Sequence, residues 1–192
     1  MKASLKYSGN RYIFSVVFAA LIAVSGFFII PIGVIPVVLK NLFVVLAGTV
    51  LGGIYGGLAV LVFLAAGLIG IPVFVIGGGI GVFNTPLGGY LAGYFFASLA
   101  AGLICGKPKT GEKKANALLL LRITAASAAG FSIILFCGVF YMMRLNSITF
   151  PAAMAAGFLP FIPGDLIKLA ASVPLALKLR PIAARYINPE AK

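Results

Sequence analysis

Between Phe150 and Leu177 the sequence carries only two charges, Asp165 and Lys168, and Pro160, Pro163 and Gly164 stand just before them. An ionised aspartate at the centre of a membrane helix costs about 2.5–3.5 kcal/mol on insertion scales. Lys168 is placed to offset that cost, because residues three apart share a helix face. The prolines and the glycine predict an irregular turn, with a helix starting at Gly164–Asp165. Asp165 then meets the positive end of the helix dipole. Interrupted helices of this kind are tolerated at membrane depth where they are buried in protein or line a cavity.

Composition agrees with a membrane setting. Of 192 residues, 62% are hydrophobic and 9% charged, with a mean hydropathy of +1.17. This composition predicts an all-α integral membrane protein, a single domain over 1–192. A net charge of +12 would suggest nucleic acid in a soluble chain. Here the basic residues cluster at the ends of apolar runs, which suits a membrane surface and gives no reason to expect nucleic acid. The acids are Glu112, Asp165 and Glu190, and there is no histidine. Cys105 and Cys137 fall in apolar runs, where free cysteine packs as a small hydrophobe. No metal site or cofactor is expected.

Six spans are predicted, at about 11–30, 35–51, 58–71, 87–105, 117–141 and 150–179, the last interrupted near 160–164. Lys2, Lys6 and Arg11 before the first run resemble a secretory signal, but the run is long enough to span and reads as an uncleaved helix. Glycines 52, 53, 56 and 57 form a joint, 70–89 reads as a glycine-dense loop packed on the protein, and 106–116 is the hydrophilic linker. The basic residues gather on the side of both termini and the 106–116 linker. The positive-inside rule therefore predicts both termini in the cytoplasm. The 70–89 loop and the turn before Asp165 then lie on the outer side.

Each candidate has a plain structural reading beside the functional one. Asp165 and Lys168 form either an architectural ion pair or a polar ligand site. Lys40 either snorkels to the surface or partners an anion. Asn84 and Tyr90, which flank Pro86, either bond a ligand or satisfy a tight loop. Ser15, Ala19 and Ala23, like Gly48, Gly52 and Gly56, have the four-residue spacing of small residues that lets helices approach closely. Gly102 to Lys107 falls one residue short of a P-loop, and Pro108 stands where a hydroxyl would bind magnesium. With no histidine and no serine beside a base, catalysis has little to work with, and no enzyme is expected.

Three motifs carry a specific likeness. Residues 161–168 (Phe-Ile-Pro-Gly-Asp-Leu-Ile-Lys), 67–74 (Gly-Leu-Ile-Gly-Ile-Pro-Val-Phe) and 85–93 (Thr-Pro-Leu-Gly-Gly-Tyr-Leu-Ala-Gly) resemble the BioY family. Its members are biotin-binding S components of energy-coupling-factor (ECF) transporters in bacteria. The resemblance implies a multi-pass protein of the bacterial cell membrane that binds biotin from outside. It also implies association with an ECF transmembrane coupling subunit and an ATPase pair, which supply the energy. The family's acid and base fall on Asp165 and Lys168, and its Ala-x-x-x-Ala docking face on Ala19 and Ala23. Two positions depart from the family pattern. Leu87 replaces a threonine, and Lys40 stands where a neutral polar residue is expected. They leave open an S component for another small carboxylate vitamin, such as a lipoate-like acid. A third reading, of a different class, is a structural membrane subunit with no ligand.

Overall fold

The computed structural model describes residues 2–30, 37–110 and 116–187. The turn predicted around Pro31, Gly33 and Pro36, the linker charges Glu112, Lys113 and Lys114, and Glu190 and Lys192 lie outside these residues. Among the described residues the regular elements are helices and one short two-stranded hairpin. Helix α1 runs over Lys2–Ser25 and leads to strands β1 (Ile29–Ile30) and β2 (Val37–Val38). The strands pair antiparallel, Ile29 with Val38 and Ile30 with Val37. Helices α2 (Lys40–Leu51) and α3 (Gly53–Leu68) follow. A 3-10 turn (Ile80–Asn84) then precedes α4 (Leu87–Cys105), and α5 covers Ala117–Asn146. The last apolar run is split into α6 (Phe150–Gly157), a 3-10 turn (Leu159–Phe161) and α7 (Ile162–Ile187).

Three runs, 87–105, 117–146 and 150–187, are long and apolar enough to cross a membrane. Residues 9–25, 40–51 and 53–68 form shorter apolar helices. Helix α2 is shorter than the predicted run 35–51. Its 12 residues cover about 18 Å, less than the roughly 30 Å of a hydrocarbon core. Helix α2 is mostly apolar beyond Lys40 and Asn41, and all but two of its residues are buried. It is the central rod of the bundle, packed by α1, α3, α4, α5 and α7.

Glycine sets the spacing at this rod. A Cβ on Gly48 would meet the backbone of Ser98 on α4, and one on Gly56 would meet the Gly48 backbone. At the joint, Gly52 has φ of +85°, which favours glycine, and the chain turns there from α2 into α3.

Helix α7 runs past its predicted end at 179, through internal Pro174 and Pro181. It starts at Ile162, slightly earlier than predicted. Pro163 lies in its first turn, where the missing N–H breaks no helix bond. Asn10 donates to the Tyr186 carbonyl at 3.2 Å and Arg11 Nε to the Ile187 carbonyl at 2.7 Å. The start of α1 and the end of α7 thus share one end of the bundle, the terminus end. Asp165 lies 22 residues before Ile187 on the same helix, about 33 Å away toward the far end.

Candidate ligand-binding site

The break at Phe158–Phe161 places Asp165 in the first turn of α7, with Lys168 one turn on. Asp165 Oδ1 and Lys168 Nζ form an ion pair, and both residues are buried, at 6% and 5% exposure. Asp165 Oδ2 is also buried and has no hydrogen-bond partner among the described residues. The Lys168 ammonium lies 5.9 Å from the centre of the Phe131 ring on α5. A carboxylate oxygen left bare in such a place is costly. The site therefore holds an acceptor with spare capacity next to a cation.

Two tyrosines of α4, Tyr90 and Tyr94, stand one helical turn apart. The Tyr90 hydroxyl donates to the Gly157 carbonyl at 2.7 Å, which ties α4 to the end of α6 just before the break. Its ring packs 6.1 Å from that of Phe161. The Tyr94 hydroxyl donates to Asn41 Oδ1 at 2.9 Å. From Tyr94 an aromatic chain continues to Phe63 at 6.4 Å and on to Phe74 at 5.6 Å.

Lys40 closes this cluster on the far side. It is 1% exposed, so it does not snorkel to the surface of the bundle. Its ammonium donates to the Val73 carbonyl at 2.7 Å and lies 5.2 Å from the centre of the Phe63 ring. Lys40 thereby holds the 69–79 loop against the start of α2. That loop folds back on itself through a bridge between Phe74 and Gly77, and the Phe74 ring sits where a Gly67 side chain would be.

The sequence candidates divide accordingly. Asp165, Lys168, Tyr90 and Lys40 belong to one buried polar and aromatic region at the far end. Asn84 is exposed at the end of its 3-10 turn; from that turn it is the Phe83 carbonyl that accepts from the Tyr141 hydroxyl. The four-residue spacing of Ala19 and Ala23 falls on the side of α1 that meets its own bundle. Ala19 is 5% exposed and part of the core, and Ala23 is half-buried. Small residues let α1 pack closely on its own bundle, and the outward side of α1 is formed by Tyr12, Ile13, Val16, Val17, Leu21 and Val24. Asn41 and Tyr94 were not singled out in the sequence. Tyr94 carried a signal, since it repeats Tyr90 one turn along α4.

An apolar helical bundle that splits its last run to bury a carboxylate and an ammonium is an integral membrane protein built around an internal polar site. The BioY family profile matches residues 1–185. The "Biotin transporter BioY" of Thermotoga maritima is 37% identical over 167 residues, covering 86% of this chain and 93% of that protein. The protein of the same name from Rhodobacter capsulatus is 37% identical over 171 residues, 79% of this chain and 83% of that protein. A crystal structure described as the S-component for biotin from an ECF-type ABC transporter superposes with a TM-score of 0.75 at 29% identity. It covers 90% of this chain and 92% of that chain. The chain belongs to the BioY family.

Proposed function

We propose that this chain is the biotin-capture subunit, or S component, of an ECF-type importer in the bacterial cytoplasmic membrane, working as a single domain over 1–192. Biotin enters from the outer face at the far end, and both termini lie in the cytoplasm. A separate transmembrane coupling subunit and an ATPase pair supply the energy for delivery. The buried Asp165 carboxylate supports this reading most directly, with one oxygen on Lys168 and the other without a donor among the described residues.

Biotin's chemistry complements that arrangement. Its ureido ring offers two N–H donors and a carbonyl, and its valerate chain ends in a carboxylate. Asp165 accepts from a ureido N–H, while Lys168 holds the carboxylate in place and reaches the ureido oxygen. Tyr90 and Tyr94 wall the ring, and much of the affinity comes from burying it. Lys40, toward the loop, receives the valerate, and Asn84 stands at the rim. Saturable binding of labelled biotin to the purified chain is expected, and its absence overturns the proposal.

One observation favours a second reading. Lys40 is fully buried at a position where the family pattern leads one to expect a neutral residue. A shorter or differently shaped vitamin carboxylate, such as a lipoate-like acid, would suit a site with an added cation. Competition of labelled biotin by a panel of such acids separates the two readings.

A further inference from the structure

We propose a second binding site, for a phosphoryl anion, in a cavity of about 230 Å³ at the terminus end of the bundle. It is separate from the region around Asp165 and does not depend on the biotin reading. The cavity is bounded by the start of α1, the α2–α3 joint and the segment following α4. Arg11 and Lys107 line it, and none of its described lining residues is acidic.

Arg11 is held in place by its own chain. Its Nε donates to the Ile187 carbonyl at 2.7 Å and its Nη1 to the Tyr55 hydroxyl at 3.4 Å, with the guanidinium 5.7 Å from the centre of the Tyr55 ring. Nη2 has no acceptor among the described residues, so one edge of a fixed guanidinium is left for a guest. Guanidinium suits phosphate because its donors match the anion's oxygens in a plane. Lys107 supplies a second positive charge on an exposed side chain, which forms no ion pair among the described residues. The α3 helix starts at Gly53 on the cavity wall, and its first turn holds no acid. Its dipole adds to a field already set by the two cations.

The other walls say which phosphoryl compound fits. Ile54 and Leu103 line the same cavity and are 71% and 67% exposed on the outside of the bundle. In a membrane those side chains meet acyl chains. A headgroup phosphate between Arg11 and Lys107 would thus continue into a lipid tail along Ile54 and Leu103. Free phosphate shares the polar half of this recognition and lacks the apolar half.

The test uses the full chain in phosphatidylcholine vesicles, with phosphatidylglycerol added in one arm and inorganic phosphate in another. Lipid retention is read by native mass spectrometry, and thermal stability is read in parallel. Phosphatidylglycerol should be retained and should raise the melting temperature. Lys107→Gln combined with Arg11→Gln should weaken retention by about tenfold, close to 1.4 kcal/mol. Arg11→Gln also removes a contact to Ile187, so Lys107→Gln alone serves as a second variant. It alters only an exposed side chain and should still weaken retention. Stabilisation by inorganic phosphate alone would assign the site to the free anion, and stabilisation by phosphatidylglycerol alone to the lipid. No effect of either, or an effect unchanged in both variants, overturns the proposal. Labelled-biotin binding on the same variants should stay unaltered, so the two proposals fail independently.

Discussion

The guanidinium of Arg180, on the last helix, donates to the backbone carbonyl of Thr49 on the central one, 131 residues away in sequence. The same group reaches the Gly106 and Lys107 carbonyls, both at 3.2 Å, and Cys105 Sγ at 2.9 Å. Arg180 is 1% exposed. Carbonyls near the end of a helix lack partners within it. A single buried cation thus caps the ends of α2 and α4 and locks both to α7.

Replacing Arg180 by Met should therefore destabilise the whole bundle. Bonds from charged donors contribute about 1.5–3 kcal/mol each, and several carbonyls would be stranded together. A loss of about 3 kcal/mol or more is expected in detergent unfolding, with biotin affinity changed little in the fraction that stays folded. Lysine should rescue only in part, because it has no planar fork to span several acceptors. Wild-type stability in the Met variant would show that the caps are dispensable.

Tyr90 joins the site to the break in the last run. Its hydroxyl bonds the Gly157 carbonyl, and its ring lies where a Cβ on Gly138 would fall. Tyr90→Phe removes one hydrogen bond and should cost about 0.5–1.5 kcal/mol of stability. Gly138→Ala displaces the ring and should cost more, about 1–3 kcal/mol. Thermal melts of the two variants check the order, and equal melting temperatures would contradict it.

The helical plan was legible because apolar runs and glycine or proline breaks mark the ends of helices. The α4 boundaries agree with the expectation at both ends, and the break near Pro160 lies where the prolines put it. The short α2 was less legible, since a 12-residue rod and the hairpin before it together look like one apolar span. Arg180 escaped notice for a different reason. At the end of an apolar run it reads as a membrane-surface charge, and only the packed structure shows it turned inward. Asp165 and Lys168 stood out because charge is rare in these surroundings. Asn41 and Tyr94 gave no such contrast, and their pairing depends on α2 and α4 lying side by side.

Helix contact at the rod gives a sharper packing test. On Gly56 a new Cβ would meet the backbone of Gly48, and backbone cannot rotate away as a flexible side chain does. Gly56→Ala should lower stability by about 1–3 kcal/mol. Gly81→Ala is the control, because a Cβ there meets nothing among the described residues within 4 Å. Similar melting temperatures for the two variants would mean that the α2–α3 approach is looser than it stands here.

The acid and base of α7 can be separated into architecture and recognition by a double-mutant cycle. Removing one partner of a buried ion pair leaves the other charge uncompensated, at a typical cost of about 3–5 kcal/mol. Asp165→Asn and Lys168→Met should each destabilise the chain and each weaken biotin binding by at least about tenfold, near 1.4 kcal/mol. The double variant restores charge balance, and neutral pairs are often as stable as the ion pair they replace. It should regain most of the lost stability, as read by denaturant or thermal melts, yet stay deficient in labelled-biotin binding. A purely architectural pair gives the opposite outcome: stability and binding would recover together, because binding would then depend only on an intact fold. Recovery of both in the double variant would move the recognition groups away from Asp165, and Lys40 and Asn41 would be the next positions to substitute.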